Sequence, residues 1–164
     1  MDDAPIYPGL IPALAGHPTT GRFEIVDSND ARGRGLRAKA SFGQGAAVAR
    51  LSGVLVPQSS LDTIQISPFL HLHDAWFARF LLHSCEPNLR IDLATIEAIA
   101  VRDIAAGDYL TLDYAATEDR LARQFACECG AAACRGWMLG RKEEPNAEGR
   151  AFLAKRDAAR IGSR

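Results

Sequence analysis

Three thiols packed into eight residues constrain this chain more than any other feature. The stretch Phe125-Ala126-Cys127-Glu128-Cys129-Gly130-Ala131-Ala132-Ala133-Cys134-Arg135-Gly136 has Cys-x-Cys-x4-Cys spacing. That spacing folds easily around one tetrahedral ion, yet it supplies one ligand fewer than a structural zinc site needs. The chain holds four cysteines, and the remaining one is Cys85. Cys85 is either the fourth ligand or a small buried hydrophobe. If it closes the site, the tail is stapled back onto His83-Ser84-Cys85. A zinc held by four thiolates contributes on the order of 10 kcal/mol to ordering a tail that has little core of its own. In a reducing compartment such a set favours a metal over two disulfides.

The length of 164 residues and the 48% apolar content suit one well-buried core. Lys+Arg 19 against Asp+Glu 20 leaves a formal net charge of -1. No whole-chain field then holds the protein on nucleic acid or an anionic membrane. No stretch approaches the roughly 20 apolar residues of a membrane span. Met1-Asp2-Asp3 opens acidic where a secretion signal opens basic. The expectation is a cytoplasmic protein with no membrane partner and no direct nucleic-acid binding. The basic cluster Arg32, Arg34, Arg37 and Lys39 reads as a solvated loop, with attraction of an acidic partner as its other use.

Residues 1–20, rich in Pro and Gly, read as an irregular lead-in. Alternating runs predict strands at 22–26, 36–39, 47–56 and 63–66, then at 89–93, 95–101 and 109–114. The apolar residues between Asp74 and His83, among them Trp76, Phe77, Phe80, Leu81 and Leu82, predict one short buried helix. Thr117-Glu118-Asp119-Arg120 predicts a helix start running toward Gln124. A charged, amphipathic helix is expected over 146–161. The class is mainly β (α+β), and no internal repeat is present.

Four stretches, in order, resemble the SET-domain lysine methyltransferases. They are Gly33-Arg34-Gly35-Leu36; Arg79-Phe80-Leu81-Leu82-His83-Ser84-Cys85-Glu86-Pro87-Asn88; Arg102-Asp103-Ile104-Ala105-Ala106-Gly107-Asp108-Tyr109-Leu110-Thr111-Leu112-Asp113-Tyr114; and the Cys127 to Gly136 cluster. The resemblance implies a β-clip fold whose C-terminal strand segment threads under a loop to form a pseudoknot. It divides the chain into a SET domain over 21–116 with a very short insert, a helix and zinc-bound post-SET cluster over 117–140, and a charged helical tail over 141–164. The implied cofactors are S-adenosylmethionine and a structural zinc on Cys85, Cys127, Cys129 and Cys134. The cofactor and the acceptor amine enter from opposite faces of a narrow channel, an arrangement suited to in-line displacement.

The resemblance makes Tyr114 the catalytic tyrosine, against the plainer reading of a tyrosine ending a strand. Cofactor binding is implied for Gly33, Arg34, Gly35, Leu36, Arg79, Leu82, His83 and Trp137, with Ser84 in the same segment. Gly33 and Gly35 could equally form a hairpin turn, His83 a satisfied core histidine, and Trp137 a packing residue. Three positions depart from the family's pattern. Leu82 replaces an Asn that binds the cofactor's amino group, Leu51 a tyrosine of the lysine channel, and Leu112 an aromatic linked to methyl number. The insert, at most Pro57 to Asp74, is also short. The implied function is methylation of a protein lysine. The departures add small-molecule amines or amino acids as acceptors, a homodimer that completes the groove, or a non-catalytic binding module.

Overall fold

The computed structural model describes residues 3–30 and 32–161. Met1 and Asp2 of the acidic opening, and the last three residues of the charged tail, lie outside the described residues. Twelve short strands and two α-helices make up the regular structure there. Strands β1 (Phe23–Asp27) and β2 (Arg34–Ala38) form an antiparallel hairpin, and Phe23, Leu36 and Ala38 enter the core. Strands β4 (Val54–Val56), β5 (Thr63–Ser67) and β6 (Leu70–His73) make a three-stranded sheet in the order β4-β6-β5.

The site is built on a five-stranded sheet. Its members are β3 (Ala47–Arg50), β7 (Leu82–His83), β8 (Leu89–Asp92), β9 (Glu97–Ala100) and β10 (Thr111–Leu112), in the order β3-β9-β8-β10-β7. Strand β10 lies parallel to both neighbours, with Thr111 beside Leu82, and Leu112 beside His83 and Leu89. The 84–88 connection between β7 and β8 therefore arches over a strand that comes later in the chain, which is the expected knot. Asn88 locks it. Its Nδ2 donates to the Tyr109 carbonyl at 2.8 Å, its Oδ1 accepts from the Thr111 N–H at 2.8 Å, and its own N–H donates to Thr111 Oγ1 at 3.1 Å.

The structure differs from the sequence reading at three elements. The run expected as one strand over 47–56 breaks between β3 and β4. At Gly53 a Cβ would stand 2.1 Å from the His73 carbonyl oxygen, so the backbones meet too closely there for a side chain. The helix expected between Asp74 and His83 is a turn plus one 3-10 turn over Ala78–Phe80, followed by β7. Asp74 Oδ1 accepts from the N–H groups of Trp76 and Phe77 at 3.1 and 2.9 Å, while backbone bonds from Leu82 and Ser84 to Leu110 and Leu112 draw the rest into the sheet. Thr117 ends a helix instead of starting one. Helix α1 (Tyr114–Thr117) begins at Asp113, whose side chain accepts from Ala115, and Glu118 is extended. Tertiary bonds to β5 hold Glu118 and Asp119 out of any further turn: Gln65 N–H donates to Glu118 Oε1, and Asp119 N–H to Gln65 Oε1.

Strands β11 (Phe125–Ala126) and β12 (Trp137–Met138) pair across the cysteine cluster. Helix α2 (Ala147–Ile161) starts at Asn146, whose Oδ1 accepts from the Gly149 N–H. It packs on β11 and β12 and leaves most of its surface in solvent.

Candidate functional site

Strand β7 presents His83, strand β10 presents Leu112, and the cap at Asp113 turns the chain so that Tyr114 opens α1 beside them. The rings of His83, Tyr114 and Phe125 form a triangle with centroids 5.2, 6.1 and 6.0 Å apart. These three side chains line one cavity of about 370 Å³, within the usual size range of small-molecule sites. Its wall also carries Arg32, Asp62, Arg79 and Leu82, with Cys127 and Cys129. Ile64, Thr117, Glu118 and Leu121 belong to the side that packs on β5.

Burial sets the electrostatics. The Tyr114 hydroxyl donates to the Leu81 carbonyl at 2.7 Å, and burial pushes its pKa up to about 12. Burial also holds His83 down at about 4, with Arg135 adding to the effect and Asp113 opposing it. Both rings are therefore neutral near pH 7. His83 Nδ1 accepts from the Tyr114 N–H at 3.4 Å, and its Nε2 lies 3.5 Å from Cys85 Sγ. Glu118 is raised above the ordinary carboxylate range, chiefly by burial, with the Gln65 N–H offsetting part of it.

The four cysteines converge. Their Sγ atoms lie within 4.8 Å of one another, with Cys85 and Cys127 3.9 Å apart. Sulfurs about 2.3 Å from a central zinc stand a little under 4 Å from each other in a tetrahedron, so the set fits that ion. N–H groups point at the sulfurs, as thiolates require. Cys85 N–H donates to Cys129 Sγ at 3.4 Å, while the N–H and Nε of Arg135 donate to Cys85 Sγ at 3.4 and 3.3 Å. Arg135 also bridges to Asp113 at 2.6 Å, the residue just before Tyr114. The cluster and the tyrosine are thus two contacts apart.

Of the residues singled out in the sequence, Arg79, Leu82, His83, Leu112 and Tyr114 line the cavity, together with Cys127 and Cys129. Gly33, Arg34, Gly35, Leu36, Leu51 and Trp137 do not. Leu51 is a core residue, 3% exposed, with its N–H on the Ile96 carbonyl, so it borders no channel here. Leu36 is likewise core, and the Arg34 guanidinium sits over the Phe80 ring. Gly33 adopts φ 76 in the turn between β1 and β2, where Arg32 alone among the described residues lines the cavity. Gly35 acts through a neighbour. A Cβ there would stand 2.7 Å from Leu82 Cδ1 and would have to displace part of the wall. Trp137 lies under α2, with its Nε1 donating to Gln124 and its ring 5.6 Å from that of Phe152.

Sequence reasoning missed Arg32, Asp62, Glu118 and Phe125 as wall residues. The one available signal was Phe125, an aromatic two residues before the first thiol of the cluster.

A protein-family model described as SET domain matches residues 33–115. The chain is similar to the methyltransferase flvH of Aspergillus flavus, 26% identical over 130 residues, which are 77% of this chain and 72% of that protein. It is similar to the histone-lysine N-methyltransferase ASHR3 of Arabidopsis thaliana, 35% identical over 75 residues, covering 42% of this chain but 15% of that one. Among solved structures it resembles KRYPTONITE in complex with mCHH DNA, H3(1-15) peptide and SAH. That likeness has a TM-score of 0.57 and 26% identity, over 70% of this chain and 29% of that one.

Proposed function

The chain belongs to the SET-domain family of S-adenosylmethionine-dependent methyltransferases, and on that premise we propose that it methylates an amine nitrogen held beside Tyr114, with a protein lysine side chain as acceptor. The observation that carries this reading is the cavity that Tyr114, Leu112 and His83 line together with Cys127 and Cys129 of the cysteine cluster. In it S-adenosylmethionine would supply an electrophilic methyl, which passes to nitrogen as the sulfur keeps the bonding pair and leaves as S-adenosylhomocysteine. Arg32, Arg79, Leu82 and His83, which line the cavity, would hold that cofactor. A zinc on Cys85, Cys127, Cys129 and Cys134 would fix the wall that carries Phe125.

A free ammonium has a pKa near 10.4 and no lone pair with which to attack, so the site must favour the neutral amine. Tyr114 does not take that proton, because its own pKa is about 12. Its hydroxyl hydrogen is committed to the Leu81 carbonyl. The oxygen remains an acceptor that can orient the amine and receive weak C–H contacts from a methyl group. The KRYPTONITE complex with a histone peptide and the histone-lysine methyltransferase relatives support a lysine acceptor. A second reading, a small-molecule amine, is favoured by the short insert, whose only strands are β5 and β6.

The test is calorimetry with S-adenosylmethionine together with labelled methyl transfer to lysate proteins and to a low-molecular-weight extract. The expected result is cofactor binding and label in protein. Label in the small-molecule fraction alone selects the second reading, and no cofactor binding at millimolar concentration ends both. Tyr114→Phe should retain cofactor affinity while losing about 100-fold or more in turnover; an active variant would refute the role of the hydroxyl.

A further inference from the structure

Three carboxylates lie on the cavity wall, and their circumstances differ. Asp62 is paired with Arg79 at 3.4 Å and with His73 at 3.9 Å, and Glu128 is exposed. Glu118 is 7% exposed, and among the described residues no cation lies within ion-pair distance of it. Its Oε1 accepts the Gln65 N–H at 2.8 Å. The nearby cations are engaged elsewhere. Arg141 Nε and Lys142 Nζ close on Asp119 at 2.7 and 2.9 Å, and the rest of the Arg141 guanidinium caps the carbonyls of Ala116 and Thr117.

Burying a carboxylate with no cation in contact is costly; Thr117 and the more distant Arg141 offset only part of that cost, and a glutamine would accept the same Gln65 N–H without it. A desolvated carboxylate in a cleft, its pKa raised by that burial, is a mark of function rather than of packing. Its place suits one. The Glu118 N–H caps α1 by donating to the Tyr114 carbonyl at 2.9 Å, and both residues line the same cavity.

We infer that Glu118 is the docking carboxylate for the ammonium group of the acceptor, so that the site selects alkylammonium compounds over uncharged ones of the same shape. The inference rests on the methyltransferase reading and adds to it which residue reads the acceptor's charge. The cofactor's sulfonium and an incoming ammonium are both positive, and Glu118 supplies the negative charge that admits the ammonium to a desolvated space; the ammonium must then lose its proton before the nitrogen can attack. Glu118 lies on the side backed by β5, whereas His83 meets the cysteines, with its Nε2 3.5 Å from Cys85 Sγ.

The experiment titrates the full chain, saturated with S-adenosylhomocysteine, with n-butylammonium and separately with uncharged 1-pentanol by calorimetry. Wild type should bind n-butylammonium and take up 1-pentanol at least about tenfold more weakly. Glu118→Gln keeps an acceptor for the Gln65 N–H, and should lose about tenfold or more in n-butylammonium affinity with S-adenosylhomocysteine affinity unchanged. Equal binding of the two probes to wild type overturns the inference without need of a variant. So do absence of n-butylammonium binding, equal n-butylammonium affinity in the variant, and a variant that loses S-adenosylhomocysteine, which would place the carboxylate against the cofactor. Wild type that binds no S-adenosylhomocysteine removes the methyltransferase reading and takes this inference with it. Failure of the inference alone leaves cofactor binding intact.

Discussion

A phenol and an imidazole that touch each other in the cavity are both kept uncharged by burial, and only the phenol has a consequence on the alkaline side. An ordinary tyrosine ionises near 10, so a catalytic one would cost the enzyme activity as pH approached that value. Tyr114 is raised to about 12. A raised pKa extends the neutral form upward, so the phenol stays protonated across the whole range in which amines gain their lone pair. The rate at saturating cofactor should therefore rise or level between about pH 8 and about pH 10, with no descending limb; a fall with an apparent pKa in that interval would contradict the assigned environment. Tyr114, His83, Leu82, Leu112 and Arg79 were legible because they sit within short sequence stretches whose strands lie side by side. Glu118 was not, since its burial depends on Gln65, 53 positions away, and nothing local in Thr117-Glu118-Asp119 distinguishes it from a solvated helix start.

Between β10 and α2 the chain has little regular structure of its own: one turn of helix and two strands of two residues each. Such a segment cannot hold its shape by backbone bonds alone; the four thiols, with the Ala133 N–H on Glu86 Oε1 at 3.2 Å, tie it to the 84–88 connection. Removing zinc with 1,10-phenanthroline should lower the melting temperature by about 10 °C or more, since a site of this kind contributes on the order of 10 kcal/mol. It should also open residues 120–140 to protease and weaken cofactor affinity, because Phe125, Cys127 and Cys129 are wall residues. Melting and cleavage patterns indifferent to the chelator would show that the thiols bind no structural metal. Strands β3, β8, β9 and β10 of the main sheet were legible from alternation, and α2 from its charged apolar period. The helix expected before His83 failed because its apolar spacing is equally that of a chain entering a buried sheet. There, hydrogen bonds from the Leu82 and Ser84 N–H groups to the Leu110 and Leu112 carbonyls override local preference.

At the scale of the molecule, the N-terminal residues, which read only as an irregular lead-in, join parts of the fold far apart in sequence. Tyr7 is 5% exposed, its hydroxyl donates to Asp74 Oδ2 at 2.6 Å, and it accepts the Ser52 N–H at 2.9 Å. His17 bonds Ser52 Oγ at 2.9 Å and packs edge-on against the Tyr7 ring. Asp74 in turn holds the N–H groups of Trp76 and Phe77 at the start of the segment that becomes the cavity wall at Ala78 and Arg79. One phenol therefore ties the lead-in, the break between β3 and β4, and the approach to β7. Tyr7→Phe removes that oxygen with little change of volume, leaving a buried carboxylate oxygen and a backbone N–H without partners. The cost should be about 1 to 3 kcal/mol, or about 3 to 10 °C in melting temperature for a chain of this size. Because Asp74 leads into the wall, cofactor affinity should weaken along with stability. A variant that melts with wild type would mean that the segment is held by its apolar contacts, with the hydroxyl a bystander.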